Sequence, residues 1–490
     1  MAIPVEIFFL DPGQGGTLQQ QIQRMISEGI LSGRFRPGDK LPSSRKFAEH
    51  LGISRMTITL AYNALLSDDY LSSKGRSGYY VSQTAPRRAA FDVPTTKVAD
   101  TVPWSRAIGQ RYSGHIMPDK PPDWRDYPYP FIYGQTDDRI FDHSNWRQCA
   151  LQAMGKREFG DVTADYFDQD DPELVKYVVS NTLPRRGILA RPEEVLITMG
   201  AQNALWLSAQ ILLNQRRTAA MENPGYPGLR VVLELTRCNV ELIPVDENGM
   251  QFENLPADVD VVFTTPSHHC PTNVTMPVDR RRKLLELASK NNFLIVEDDY
   301  EFEMSFLKAS APALKSLDQE GRVIYVGSYS KSLFPGLRLG YIVGAEPFIR
   351  EARALRAAIL RHPPGHIQRT VANFLSLGHY DALVARMTQK FGVRRDVMYQ
   401  AIQKSGLEIA GHNVSGGSSF WIKVKDGIDT RVLAQRLAEK GVLIEPGHVF
   451  FDQKDAEYRY FRLAYSSIAQ HKIEPGIGLI AEELRTFGHI

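Results

Sequence analysis

Val323-Ile324-Tyr325-Val326-Gly327-Ser328-Tyr329-Ser330-Lys331 begins as an apolar run and ends on serines and a lysine, with Arg338 seven residues on and Gly340 soon after. A short apolar run that stops abruptly at polar residues reads as a buried strand delivering side chains to its carboxyl end. The pattern recurs upstream. Val195-Leu196-Ile197 leads to Thr198-Met199-Gly200-Ala201-Gln202, and Ala219-Ala220-Met221 leads to Glu222-Asn223-Pro224-Gly225-Tyr226. Val259 to Phe263 leads to Thr264-Thr265-Pro266-Ser267, and Phe293 to Val296 leads to Glu297-Asp298-Asp299-Tyr300. Helical sequence follows each. Buried strands alternating with helices predict an α/β domain with a parallel-rich sheet, helices on both faces and a ligand at the strands' carboxyl ends.

Ser328-Tyr329-Ser330-Lys331 with Arg338 and Gly340 resembles the cofactor-lysine signature of fold-type I pyridoxal 5'-phosphate enzymes. The resemblance implies that Lys331 is the catalytic lysine, forming a Schiff base with the cofactor aldehyde. It places Ser328, Ser330 and Arg338 on the phosphate, with the backbone amides at Gly200-Ala201-Gln202, where a helix begins. Asp298 would keep the pyridine nitrogen protonated, Tyr300 would bond the ring hydroxyl oxygen, and Tyr226 would stack on the ring. Taken singly, an Asp-Asp-Tyr after a strand is an ordinary helix cap and a lone lysine is solvated. It is their conjunction that points to a cofactor.

Farther on, Glu445-Pro446-Gly447 and Phe461-Arg462-Leu463-Ala464-Tyr465 resemble the small C-terminal α+β subdomain of class I aminotransferases. Arg462 matches the arginine that grips a substrate carboxylate, and here it would bind the effector. There is one departure. Where aminotransferases carry an Asn-Pro pair whose Asn bonds the cofactor ring, this chain has His268-His269-Cys270-Pro271-Thr272-Asn273. Cys270 cannot supply a comparable hydrogen bond, which argues against efficient transamination. The His-His-Cys triplet does not predict a metal: consecutive residues on an extended segment face opposite ways, and no fourth ligand is evident. Arg280-Arg281-Arg282-Lys283 reads as a solvated helix face.

Between Pro86 and Pro130 lie eight prolines with little hydrophobic periodicity, as expected of an extended linker. The linker divides a chain of 490 residues into three segments: 1–85, 86–130 and 131–490. It also separates charge. Residues 1–90 carry a net +4 and the remaining 400 a net −2, so the overall +2 averages a basic head and a slightly acidic body.

In the head, Leu18, Ile22, Met25/Ile26 and Ile30 fall at helical spacing, and Gly33 can end that helix. Ser43 is placed to cap a second helix ending at Leu51-Gly52, and Ser54 to cap a third that carries Ile58, Ala61 and Leu65 inward. Tyr70-Leu71-Ser72-Ser73, the basic Lys74-Gly75-Arg76-Ser77-Gly78 and Tyr79-Tyr80-Val81 read as a hairpin. This is a winged helix-turn-helix. Its string Leu41-Pro42-Ser43-Ser44-Arg45 … Ala48 … Leu51-Gly52-Ile53-Ser54-Arg55-Met56-Thr57 resembles the DNA-binding domain of the GntR family. Arg45 and Arg55 at helix starts can reach phosphates or guanine edges. Ser43, Ser44, Ser54, Thr57 and Thr59 offer short hydrogen-bonding groups, and Arg76 on the wing can reach the minor groove or the backbone.

A winged helix-turn-helix joined by a long linker to an aminotransferase-like domain resembles the MocR subfamily of GntR regulators over nearly the whole chain. The resemblance implies a bacterial transcription factor that binds double-stranded operator DNA and uses pyridoxal phosphate to sense a small amine. The effector would displace Lys331 to form an external aldimine. A head-to-tail homodimer is expected, and an effector such as taurine or an ectoine-derived diamino acid. The domain would then sense rather than turn over. The alternatives are an aminotransferase with an autoregulatory DNA-binding head, disfavoured by Cys270, and a body that has lost its cofactor, disfavoured by Lys331, Asp298 and Arg338. Three cysteines without CxxC spacing, no basic, apolar leader and no window of 18 apolar residues point to the cytoplasm, with no membrane partner.

Overall fold

In the computed structural model, the described residues are all but 1, 12, 14, 87–99, 115, 116, 119, 308, 309, 412–415, 453–456, 489 and 490. Part of the proline-rich stretch, 87–99, thus lies outside them. The chain separates into two compact units, Met1–Arg111 and Tyr112–Ile490.

The first unit is built on three helices, α1 (Leu18–Leu31), α2 (Ser44–Leu51) and α3 (Arg55–Ser67), followed by a hairpin of β1 (Leu71–Ser73) and β2 (Tyr79–Val81). Each helix starts on a hydroxyl cap. Thr17 forms a reciprocal capping box with Gln20, Ser43 accepts from the Lys46 amide, and Ser54 accepts from the Met56 amide. Gly52 ends α2 with φ 66°, a conformation that favours glycine, and so makes the tight turn into α3. Ile22, Ile26, Phe47, Ile58 and Ala61 are fully enclosed in one core. Tyr62 of α3 ties this core to the wing: its ring lies 4.6 Å from that of Tyr79, and its hydroxyl donates to the Pro42 carbonyl at 2.8 Å.

The first strand of the second unit is β3 (Tyr129–Pro130), within the expected linker. Its main sheet has eight strands: β4 (Val195–Thr198), β5 (Thr218–Asn223), β6 (Asn239–Asp246), β7 (Gly249–Met250), β8 (Val261–Thr264), β9 (Leu294–Asp298), β10 (Val323–Ser328) and β11 (Gly340–Val343). Their order is β4-β11-β10-β9-β8-β5-β6-β7. Pairing is parallel from β10 through β6, whereas β11 runs antiparallel to both β10 and β4. Both faces are covered, which is why the strands read as unbroken apolar runs. Leu196, Phe263, Val296 and Val326 pack on one side with the helix Ala201–Leu212, while Ile197, Tyr325 and Tyr341 point into the other core.

A smaller antiparallel sheet follows, of β12 (Glu408–Ile409), β13 (Ser419–Lys423), β15 (Glu445–Pro446) and β16 (Tyr460–Ala464), in the order β12-β13-β16-β15. The remaining strand, β14 (Val442–Leu443), pairs in parallel with β3. Arg281, expected on a solvated face, is instead wholly buried. It donates to the carbonyls of Met276, Pro312 and Pro266, so it stitches loops together rather than facing water.

Because the Tyr62 hydroxyl satisfies a buried carbonyl, Tyr62→Phe should cost the DNA-binding unit about 1–3 kcal/mol. Denaturant titration of that unit's transition checks this, and an unchanged midpoint contradicts it.

Candidate functional site

The carboxyl ends of β4, β9 and β10 open into one cavity of about 360 Å³. Ala201, Gln202, Tyr226, Asp298, Tyr300, Ser328, Ser330, Lys331, Arg338 and Arg462 all line it, together with Cys270. The cofactor and effector residues read from the sequence therefore converge, although they span more than 260 positions. Tyr133, Glu445, Phe450 and Lys120 also line it, and the sequence assigns none of them a role there.

One end of the cavity is suited to an anion. The helix Ala201–Leu212 starts at Gly200, φ 79°, with no side chain capping its first amides. Arg338 lies across that turn, donating to the Met199 carbonyl at 3.4 Å. The Ser328 hydroxyl accepts from the Ser330 amide at 3.2 Å and so sets the turn after β10. Uncapped helix amides beside a guanidinium and two hydroxyls form a phosphate cradle.

The middle is suited to a ring carrying a basic nitrogen. Asp298 is buried, and its Oδ1 has no hydrogen-bond partner among the described residues. Burial, then the neighbouring Asp299 and Glu222 carboxylates, pushes its carboxyl up to about 8. Asp299 behaves oppositely. Burial would raise it, but a 2.7 Å ion pair with Arg186 and a hydrogen bond from Tyr325 hold it below the usual carboxylate range. Asp298 therefore faces the cavity with unused capacity for a cation, whereas Asp299 is committed to Arg186. Tyr226 is pushed up to about 12 by burial and by Asp298, and Cys270 to about 11 by burial, so both stay neutral.

Lys331 sits at the junction with the other end. Desolvation lowers its ammonium to about 8, opposed by Glu301 and assisted by Arg462, so a neutral amine is accessible near physiological pH. Its Nζ lies 4.2 Å from the centre of the Tyr133 ring, and Arg462 lies 3.9 Å from the same ring. Tyr133 is fixed in turn by donating its hydroxyl to Glu301 Oε2 at 2.9 Å, and Ser418 donates to Oε1 of the same carboxylate. Next to it, Gly134 (φ +69°) leaves room for the lysine: a Cβ there would stand 2.2 Å from Nζ. Arg462 uses Nε on Glu445 Oε2 at 2.7 Å. Its two terminal nitrogens make no hydrogen bond among the described residues, which leaves the fork for an acid group.

His269 is engaged by Thr272 and the Pro224 carbonyl, and among the described residues no group of three or more His, Cys, Asp or Glu is arranged for a metal. In the DNA-binding unit, Arg45, Arg55, Ser43 and Ser54 are exposed, and Ser44, Thr57 and Thr59 half-buried. Arg55 Nε donates to Ser44 Oγ at 3.1 Å, a link between α2 and α3 that the sequence did not announce. Thr59 spends its proton on the Arg55 carbonyl. The Arg76 side chain lies outside the described residues, while its backbone belongs to the turn at the wing tip.

Two family models match the chain: bacterial regulatory proteins of the gntR family over residues 18–81, and aminotransferase class I and II over residues 141–474. The protein is thus a transcriptional regulator whose second unit is an aminotransferase-like pyridoxal phosphate domain. It is 58% identical to the HTH-type transcriptional regulator TauR of Rhodobacter capsulatus over 99% of this chain and all of that one. It is 29% identical to the probable rhizopine catabolism regulatory protein MocR of Rhizobium meliloti, over 79% of this chain and 78% of that one. Among solved structures, a kynurenine aminotransferase of Pyrococcus horikoshii in complex with PMP superposes with a TM-score of 0.67 at 28% identity, over 73% of this chain and 90% of that one. The chain belongs to the MocR subfamily of GntR regulators.

The residues fit pyridoxal phosphate: a phosphate cradle, a carboxyl with an unpaired buried oxygen for the pyridine nitrogen, and a lysine that readily gives up its proton. Since the raised Asp298 carboxyl holds its proton in the folded state where an unfolded aspartate would lose it, the stability that this group contributes to the cofactor-free protein is lost as pH rises from about 4 to about 8. Asp298→Asn should remove that group's share of the slope, making the cofactor-free protein more stable than wild type at pH 8 while weakening its hold on the cofactor. Thermal melts across that range test the sign, and a variant less stable at pH 8 contradicts it.

Proposed function

We propose that this regulator senses a primary amine at Lys331 and transmits the result to operator DNA held by α2, α3 and the wing. One observation carries the reading: Lys331, Asp298, Arg338 and the open fork of Arg462 line a single cavity. The cofactor supplies an electrophilic carbon at which one amine can replace another. Lys331 would hold that carbon at rest, Asp298 would keep the ring nitrogen protonated, Tyr300 would bond the ring oxygen, and Tyr226 would lie against the ring. An arriving amine that took its place there would free Lys331, which lies beside the Tyr133 ring that also carries Arg462. Such a swap shifts a two-state protein by the difference in affinity for its two states.

Cys270 favours sensing over turnover. A neutral thiol at that position offers the ring no strong hydrogen bond, and the carbon–nitrogen chemistry of transamination gains less help. The second reading, an aminotransferase with an autoregulatory head, draws on the likeness to solved aminotransferases, and sustained conversion of an amino donor with a keto acid would establish it. Taurine is the first effector candidate, supported by the whole-chain similarity to TauR.

On the DNA side, Arg45 and Arg55 would contact phosphates or guanine edges, Ser43, Ser44, Ser54, Thr57 and Thr59 would add short hydrogen bonds, and Arg76 would reach from the wing. A homodimer, head-to-tail as the subfamily resemblance implies, would present two such heads to paired half-sites. Five exposed apolar side chains, Leu151, Met154, Phe159, Tyr166 and Phe167, support an association surface on the body. No helix among the described residues is long and apolar enough to cross a membrane, in keeping with action on cytoplasmic DNA.

Lys331→Ala should abolish the visible absorption band of the lysine-linked cofactor. A variant that keeps the band contradicts the assignment of Lys331. Arg55→Ala should weaken DNA binding by about 5- to 150-fold and reduce its salt dependence, with cofactor absorption intact. Unchanged DNA binding would remove α3 as the recognition helix.

A further inference from the structure

The cavity holds more positive charge than the cofactor and the carboxylates around it use. Its cations are Lys331, Arg338, Arg462 and Lys120, and its carboxylates are Asp298 and Glu445. Arg338 lies at the phosphate cradle, Lys331 is the tether, and Glu445 already holds Arg462. Lys120 has no ion pair or hydrogen bond among the described residues.

Its position suggests which end it serves. Four residues on, Trp124 is buried against Ile132 and Leu443. The chain then forms β3, with the Tyr129 and Phe131 amides donating to the carbonyls of Gly441 and Leu443 at 3.0 and 2.9 Å. Leu443 stands two residues before Glu445, the partner of Arg462, and the strand runs directly on to Tyr133, whose ring lies under the Arg462 guanidinium. Segment 117–134 therefore meets the cavity twice, at Lys120 and at Tyr133, and is anchored between these points beside the strand that positions Arg462. Four residues reach at most about 14 Å from Trp124, which keeps the long lysine side chain within reach of that end. The phosphate cradle is built separately, on the ends of β4 and β10.

We propose that Lys120 is a specificity-determining residue: a second cation that, with the Arg462 fork, selects primary amines bearing an acid group. The inference rests on the reading of the cavity as an amine-sensing site. The acid group would lie between a planar fork, which fixes its orientation, and a mobile point charge, which adds attraction without demanding one geometry.

The test uses the full-length, cofactor-loaded protein and two probes of equal length, 2-aminoethanesulfonate and ethylamine, titrated while the cofactor's absorption is followed. Wild type should prefer the sulfonate. Lys120→Ala should weaken the sulfonate about tenfold or more, as expected for loss of a charge-assisted contact, and move ethylamine less than twofold. Lys120→Arg should restore the preference. The proposal is overturned if Lys120→Ala leaves the sulfonate affinity intact, if it weakens both probes equally, or if its defect is a lost affinity for pyridoxal phosphate, which would assign Lys120 to the phosphate. Wild type responding to neither amine would overturn the amine-sensing reading itself, a failure distinct from those confined to Lys120.

Discussion

A sheet buried on both faces has nowhere to put polar side chains except at the ends of its strands, and this constraint organises the second unit. Leu196, Phe263, Val296 and Val326 fill one side while Ile197, Tyr325 and Tyr341 fill the other. Asp298, Ser328 and the turn at Gly200 are consequently delivered to one edge, where the parallel strands aim their carboxyl ends together. The chemistry depends on that convergence. An aspartate with an unpaired buried oxygen and a lysine of lowered basicity are costly in isolation, and each makes sense as half of an interaction that the cofactor completes.

The same packing separates two adjacent carboxylates into different tasks. Asp299 turns toward Arg186 and Tyr325 and becomes part of the core's wiring, while Asp298 turns into the cavity with spare capacity. The Asp299 amide still bonds the Val326 carbonyl just past β9, so the period-two alternation carries over and sends the two side chains opposite ways. A comparable economy operates in the first unit. Ser43 and Ser54 start the two helices of the helix-turn-helix, so the groups proposed to meet DNA also hold the amides that aim them.

Much of this was legible in the sequence for physical reasons. Unbroken apolar runs ending at polar residues identify doubly covered strands, and the spacing of Lys331, Arg338 and Gly340 is local, so it survives without knowledge of the tertiary fold. The antiparallel course of β11 was not legible, because Gly340–Val343 has the same apolar character as its parallel neighbours. The roles of Tyr133, Glu301, Glu445 and Lys120 are not legible either. These residues lie at a linker's end, in a loop and on a two-residue strand, where no periodicity marks a side chain's direction, and only chain crossings such as β3 beside β14 bring them to the site. Arg281 shows the converse: a run of four basic residues looks solvated, yet three loop carbonyls pull one of them wholly inside.

In the proposed regulator, occupancy of one cavity would govern DNA binding elsewhere in the chain. The most direct test is the affinity of the cofactor-loaded protein for DNA it selects from a random pool, measured with and without saturating 2-aminoethanesulfonate, in wild type and in Lys331→Ala. A several-fold change is expected in wild type and none in the variant. Equal affinity with and without the amine in wild type, or the same change in both proteins, would contradict it.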